Sequence, residues 1–159
     1  MDQETVRAFA TRVNRGELGS DVQVRYYVSG GMPSQRLECE VSIDSVNGAQ
    51  VSRYDARQSD EVARAQIPPE EIDVPGLLQA VSRGLYSLTP VSERVTHLPD
   101  SLVGRLTIRV DGQEEAFHFV PEKEQRGDDD RVAPSMDAAL QRLGELAQRT
   151  RGSGGAQHG

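Results

Sequence analysis

Two stretches of the chain alternate between apolar and polar residues, and a glycine pair separates them. In the first stretch the apolar positions are Val22, Val24, Tyr26 and Val28. In the second they are Leu37, Cys39, Val41 and Ile43. Because successive side chains of a strand point to opposite faces, the pattern predicts an antiparallel hairpin with one buried face and one face open to water.

The connection between these two predicted strands reads SGGMPSQ, which is too long for a two-residue turn. Gly30 and Gly31 are expected to supply positive φ in a wider loop, and Pro33 is expected to stiffen that loop. A tip of this kind either only closes the hairpin, which is the commoner case for surface loops, or presents its backbone to a partner.

A third strand is predicted directly after the hairpin. Asn47-Gly48 is a type I′ turn signal, and residues 49–57 follow it with Val51 on the buried face. The three consecutive strands then form a meander. Residues 58–73, which contain a Pro-Pro-Glu-Glu run, are predicted to be a polar connection.

A second hairpin is predicted late in the chain. Alternation that ends at Val110 is followed by Asp111-Gly112, another type I′ signal, and then by a strand over residues 116–120. The residues before this hairpin, 86–101, are mostly polar and contain two prolines. We expect a loop there.

Three segments place apolar residues at helical spacing and therefore predict three helices. The first covers residues 6–13 and either lies on the sheet or frays. The second covers residues 74–85, and the third is opened by Pro134, with Ser135 as its expected cap.

This order of elements predicts an α+β fold. Helices are expected to pack on one face of an antiparallel sheet of about five strands, built from the meander and the later hairpin. A length of 159 residues suits one such domain. We divide the chain into an N-terminal helical extension (1–20), the α+β domain (21–150) and a flexible tail (151–159) that is too polar to order.

The charge balance argues against some classes of partner. The formal net charge is -7 and the Lys and Arg residues are dispersed, which disfavours binding to nucleic acids and to anionic membranes. No apolar run reaches the length of a membrane span, and the N-terminus lacks the apolar stretch of a signal peptide. These features favour a cytoplasmic protein.

Residues with catalytic or metal-binding chemistry are few and scattered. Cys39, the only cysteine, is expected to be an inert thiol on the buried face of its strand. His97, His118 and His158 lack metal-ligand spacing, and the aspartates at 128–130 lack the alternating pattern of a calcium loop. His118, which lies between two phenylalanines, is expected on the open face of the sheet. With no glycine-rich phosphate loop either, we expect no metal, no cofactor and no enzymatic activity.

Several motifs together resemble the emfourin family over about residues 22–148. They are a strand that ends in Ser-Gly-Gly (VRYYVSGG), a Leu-rich helix leading to Tyr-Ser-Leu, a late hairpin around Asp-Gly and a terminal helix opened by proline. Emfourin is a proteinaceous inhibitor of protealysin, an intracellular thermolysin-like zinc metalloprotease of bacteria. The resemblance implies that this chain inhibits a metalloprotease of that class.

For an inhibitor of this kind we expect the hairpin tip to occlude the active-site cleft of the protease. The candidate contact residues are Ser29, Gly30, Gly31, Met32 and Pro33. The glycines let the backbone approach the cleft wall, Met32 is able to fill an apolar pocket, and Pro33 limits loop motion. The alternative is a non-enzymatic protein–protein interaction module whose partner is unknown.

Overall fold

The computed structural model describes residues 3–30, 37–55, 60–91, 102–121 and 131–149. Within these ranges the helices are α1 (Gln3–Arg15), α2 (Val74–Gly84) and α3 (Pro134–Ala147). The strands are β1 (Val22–Gly30), β2 (Leu37–Asp44), β3 (Gly48–Asp55), β4 (Asp60–Ile67), β5 (Thr89–Pro90), β6 (Leu102–Val110) and β7 (Gln113–Phe119). They form one antiparallel sheet in the order β4-β3-β2-β1-β6-β7-β5. The α+β class predicted from the sequence is confirmed.

The sheet has seven strands rather than about five. Strand β4 lies in the region that we expected to be a polar connection, and the two-residue β5 lies where we expected a loop. Both are edge strands with a single partner. The pairing of β3 with β4 also shifts register between Arg53 and Tyr54, which interrupts the alternation that identifies a strand in sequence.

One face of the sheet carries the core, and the helices cover it. The inward positions of β1 and of its neighbours β2 and β6 are buried wherever the structure describes their burial, which leaves out Gly30, Leu37 and Leu102. In α1, Phe9 and Val13 are buried as well, so the first helix lies on the sheet instead of fraying. Hydrophobic burial of these aliphatic side chains is the main stabilising term for the fold.

The two predicted type I′ turns differ. At Asp111-Gly112 both residues have positive φ (53° and 81°), as a type I′ turn requires, so that prediction is confirmed. At Asn47-Gly48 only Gly48 has positive φ (78°), so the predicted type is wrong. There the Asp44 carboxylate accepts hydrogen bonds from the backbone N–H groups of Val46 (2.9 Å) and Asn47 (2.7 Å), which stabilises a longer turn.

Close packing joins α2 to α3. A Cβ added at Gly84 would meet the backbone nitrogen of Met136 at 2.8 Å, so only glycine allows this approach. The N-cap of α3 is Ala133, and Ser135 makes no capping hydrogen bond, so the predicted cap is wrong. Ser87 fills part of that role, because its hydroxyl accepts from the Ala133 N–H at 3.0 Å. No helix in the described part of the chain has the length and apolar character to cross a membrane.

Candidate functional site

Strand β1, which ends in the predicted tip, lies in the interior of the sheet. Its last residue, Gly30, is opposite Leu37 of β2 and also opposite Leu102 of β6. Ser29 precedes it on the open face and is half-buried. The structure thus brings Ser29 and Gly30 to the end of a strand that is paired on both sides. The other candidate residues, 31–33, lie outside the described residues.

Polar contacts on the open face brace the β1–β2 hairpin just below its tip. The Tyr27 hydroxyl donates to Glu38 Oε1 at 2.7 Å. One row further from the tip, Arg25 Nε lies 3.3 Å from Glu40 Oε1, an ion pair in which the buried Nε–H makes no hydrogen bond. Burial, together with the hydrogen bond to Glu38, raises the pKa of the Tyr27 phenol above its usual value, so this phenol stays protonated and able to donate to a higher pH than a free tyrosine.

The covered face below the tip is apolar. Val28 and Cys39 are directly opposite each other on β1 and β2, and each is almost completely buried. Burial raises the pKa of the Cys39 thiol, which lowers the fraction of reactive thiolate. The buried position expected for Cys39 is confirmed, and its chemistry is that of a packing residue.

The open face carries continuous rows of polar side chains across the sheet. One row runs through seven directly opposed residues, namely Arg64, Ser52, Glu40, Tyr27, Arg105, His118 and Thr89. His118 therefore lies on the face opposite Phe117 and Phe119, as predicted. No helix covers this face within the described residues. Sequence patterning predicts that one face is open, but the row itself depends on register and on the missed strand β4.

Several described strand ends lie at the same end of the sheet as the last residue of β1. Asp55 ends β3 there opposite Asp60, which begins β4, and Leu102 begins β6 opposite Gly30. Strand β7 also ends there, with Phe119 opposite Gly104. Sequence reasoning missed this arrangement, because strand order in a sheet is not visible in local patterning.

Charged groups connect helix α1 to the sheet at the end of the strands opposite to the hairpin tip. The Arg12 guanidinium contacts Asp21 Oδ2 at 2.9 Å and Asp111 Oδ1 at 2.7 Å, and thereby ties α1 to the β6–β7 turn. Its hydrogen bond to Asp21 holds the pKa of that carboxyl below the usual value. In this cluster the one guanidinium of Arg12 contacts the carboxylates of Glu17, Asp21 and Asp111, and its role is structural.

The scattered histidines and aspartates of the sequence are not brought together in the described ranges. No group of three or more His, Cys, Asp or Glu side chains there is placed to hold a metal ion. His97, His158 and the aspartates at 128–130 lie outside the described residues, as does the predicted tail, 151–159. The hairpin end thus remains the candidate site.

The chain was also compared with known proteins. Neither a protein-family model nor a curated protein sequence matches it.

Proposed function

We propose that this protein is an inhibitor of a thermolysin-like zinc metalloprotease, and that its hairpin tip, residues 29–33, occludes the active-site cleft. The observation that carries the proposal is the position of Gly30 at the end of an interior strand, hydrogen-bonded to neighbours on both sides. The protease class is proposed from the resemblance of the sequence motifs to the emfourin family. Since the protease that emfourin inhibits is intracellular, we also propose that the protein acts in the cytoplasm.

A stem fixed on both sides suits occlusion for an energetic reason. Binding costs conformational entropy when the contacting segment must be ordered, and a tip on a rigid stem loses less. In this hairpin the Tyr27–Glu38 hydrogen bond of 2.7 Å and the Arg25–Glu40 ion pair lie directly below the tip. The opposite face of the same stem is fixed by packing of Val28 and Cys39 in the core.

The residues of the tip have distinct roles in this proposal. Ser29 and Gly30 bring the backbone of β1 up to the rim of the cleft, and Gly31 allows the chain to approach its wall. Met32 is an unbranched apolar side chain that adapts to the specificity pocket. The net charge of -7 speeds encounter with a protease whose cleft rim is basic.

The test is a titration of the protein against a panel of thermolysin-like proteases, read with a fluorogenic peptide substrate. The tip variant is Gly31→Asp with Met32→Asp. Gly30 is left unchanged, because strand alternation places position 30 on the helix-covered face, where a carboxylate would disturb the fold. The matched control is Val46→Asp, which also converts an apolar residue to an acid. Val46 is 59% exposed and lies in the β2–β3 turn, at the other end of β2 from the tip.

We expect stoichiometric inhibition by the wild type and by Val46→Asp, and loss of inhibition in the tip variant. Circular dichroism and thermal unfolding would verify that all three proteins are folded. If Val46→Asp loses inhibition as well, or if the tip variant retains it, the tip is not the inhibitory element.

A second candidate function is a protein–protein interaction module without protease inhibition. The open polar face of the seven-stranded sheet favours it, because this face presents rows of hydrogen-bonding side chains that no described helix covers. Absence of inhibition across the whole panel would favour the module, and affinity capture from native cells would then identify its partner.

A further inference from the structure

The turn between β2 and β3 contains the pair Asn47-Gly48. In such a pair the backbone nitrogen of the glycine is able to attack the side-chain carbonyl carbon of the asparagine, because glycine has no side chain to hinder the approach. The chain has two asparagines, and both are exposed. Asn14 is followed by Arg15, whose side chain hinders this attack, so Asn47 is the asparagine that is open to it.

The fold requires the glycine of this pair. Gly48 has a positive φ of 78°, which favours glycine. It is also buried, and a Cβ there would overlap the carbonyl oxygen of Ile67 and lie 2.7 Å from the backbone nitrogen of Pro69. The close approach of the β2–β3 turn to the end of β4 therefore keeps a reactive sequence at this position.

Asp44 holds Asn47 at two points. Asp44 is only 4% exposed, and its carboxylate accepts a hydrogen bond from the backbone N–H of Asn47 at 2.7 Å. It also accepts from the side-chain amide of Asn47, whose Nδ2 lies 3.3 Å from Oδ1 and 3.1 Å from Oδ2. Because one carboxylate makes both contacts, Asp44 restricts rotation of the Asn47 carboxamide.

We propose that Asn47 is a deamidation site whose rate is set by Asp44. In the reaction the Gly48 nitrogen loses its proton and attacks Cγ of Asn47, which forms a new C–N bond. The Cγ–Nδ2 bond breaks, and Nδ2 takes up a proton and leaves as ammonia. One water then opens the resulting succinimide and leaves aspartate or isoaspartate at position 47.

Asp44 slows this reaction in two ways. Its hydrogen bonds restrict the orientation of the carboxamide, whereas attack requires a close and aligned approach of the reacting atoms. Its negative charge also disfavours the anion that forms at the Gly48 nitrogen, since Gly48 lies directly opposite Asp44 in the pairing of β2 with β3. Opening of the turn removes both effects.

The product weakens the turn that contains it. A carboxylate at position 47 no longer donates to Asp44, and the two like charges repel each other. Isoaspartate also adds one atom to the backbone before Gly48, where β3 begins to pair with β2. We therefore expect deamidation to loosen the start of β3. The site lies at the other end of β2 from the hairpin tip, so the proposal does not depend on protease inhibition.

The test follows deamidation of the full-length protein by peptide mass spectrometry, at neutral and at mildly alkaline pH. The reference is a capped peptide of residues 45–49, which lacks Asp44. We expect Asn47 to react about tenfold more slowly in the protein than in the peptide, because protection depends on how rarely the turn opens. Both rates should rise with pH, since the attacking nitrogen must lose a proton, and Asn14 should stay intact.

Two results of this comparison would overturn the proposal. Equal rates in the protein and the peptide would mean that the contacts of Asp44 give no protection. If Asn47 stays fully intact in the protein after the peptide has reacted completely, it is not a deamidation site.

Two variants separate the charge of Asp44 from a general change in the protein. Asp44→Asn keeps a side-chain oxygen that accepts from the turn but removes the charge, and it should raise the rate about threefold. Glu145→Gln removes one negative charge at an exposed position of α3 and should leave the rate as in the wild type. An unchanged rate in a folded Asp44→Asn protein would contradict the role of Asp44. If that variant does not fold, the comparison of wild type with peptide decides.

A further pair of variants tests the effect of the product on the turn. Asn47→Asp places the aspartate product at position 47, and Gln50→Glu makes the same change from amide to acid at an exposed position of β3. We expect the midpoint of thermal unfolding to be lower for Asn47→Asp than for Gln50→Glu by about 2–4 °C. Equal midpoints would show that a carboxylate at position 47 does not weaken the turn.

Discussion

Tyr26 and Tyr27 are neighbours on strand β1, and their side chains lie on opposite faces of the sheet. Tyr26 lies on the covered face, 7% exposed, with its ring against Phe119. Tyr27 lies on the open face, where its hydroxyl donates to Glu38. A tyrosine side chain thus packs in the core at one position and forms a polar contact between strands at the next, because successive residues of a strand point to opposite faces.

The two faces differ in how strongly they depend on individual side chains. On the covered face each aliphatic side chain is enclosed, and its loss exposes a cavity that the neighbours only partly refill. On the open face each hydrogen bond or ion pair competes with water and contributes little alone. Substitutions of adjacent residues on one strand therefore test the difference directly.

The largest expected difference is between Ile108→Ala and Thr107→Ala, adjacent positions in β6. Ile108 is fully buried, whereas Thr107 is half-exposed on the open face. We expect Ile108→Ala to lower the free energy of unfolding by about 2–5 kcal/mol. Thr107→Ala should cost less than about 1 kcal/mol, mainly through lost strand propensity. Urea unfolding followed by circular dichroism measures both.

Equal losses in these two variants would show that the open face is buried in solution. Gel filtration with light scattering would then reveal whether a second copy covers it. A small loss at Ile108 would contradict the assignment of β6 to the core.

A smaller difference is expected when atoms are added instead of removed. Gly104, directly opposite Phe119 on the covered face, lies beneath that ring, and a Cβ there would overlap ring atoms. Gly104→Ala should therefore destabilise the protein by about 1–3 kcal/mol, despite its better strand propensity. Ala116→Val on the open face should be neutral or slightly stabilising. Thermal unfolding of the two variants measures this contrast, and a stabilising Gly104→Ala would contradict the ring placement.

The covered face is also the part of the fold that the sequence predicts well. The period-two pattern of Val22, Val24 and Val28 identifies β1, because large aliphatic residues at alternate positions have few alternatives to a half-buried strand. Strand β4 escapes the same argument, since its inward positions include Ala63 and Ala65 and its pairing is bulged. An edge strand needs fewer core contacts, and its pattern is correspondingly weaker.

The candidate sites are predictable to different degrees. The end of β1 at Ser29 and Gly30 follows from the glycine pair in the sequence, but its interior position in the sheet does not. The contact of Tyr26 with Gly144 of α3 is not predictable either, because the two residues are far apart in sequence and share no motif. The type I′ turn predicted at Asn47-Gly48 is wrong because backbone hydrogen bonds to the Asp44 carboxylate stabilise a longer turn.

A smaller effect is expected for the polar brace of the open face. Tyr27→Phe removes the hydroxyl that donates to Glu38 and should lower the free energy of unfolding by about 0.5–1.5 kcal/mol. In a double-mutant cycle with Glu38→Gln, the two losses should be less than additive, because both variants affect one hydrogen bond. Strict additivity in the cycle would mean that the two side chains do not interact in solution.

The ionisation of the two tyrosines has the smallest effect on stability at neutral pH, and it tests the difference between the two faces directly. Burial raises the pKa of Tyr26, and burial with the Glu38 hydrogen bond raises that of Tyr27. A tyrosine whose pKa is higher in the folded state than its unfolded value of about 10 stabilises the fold at pH values below about 10. This stabilisation is lost as the pH rises through the folded-state pKa.

The wild type should therefore lose stability above about pH 10, and Tyr26→Phe should lose less. Tyr27→Phe should show a weaker protection, because its phenol is only partly buried and water screens its charge. Urea unfolding at pH 9 and pH 11 compares the three proteins, and identical losses in both variants would mean that the two faces do not differ in how strongly they oppose a charge.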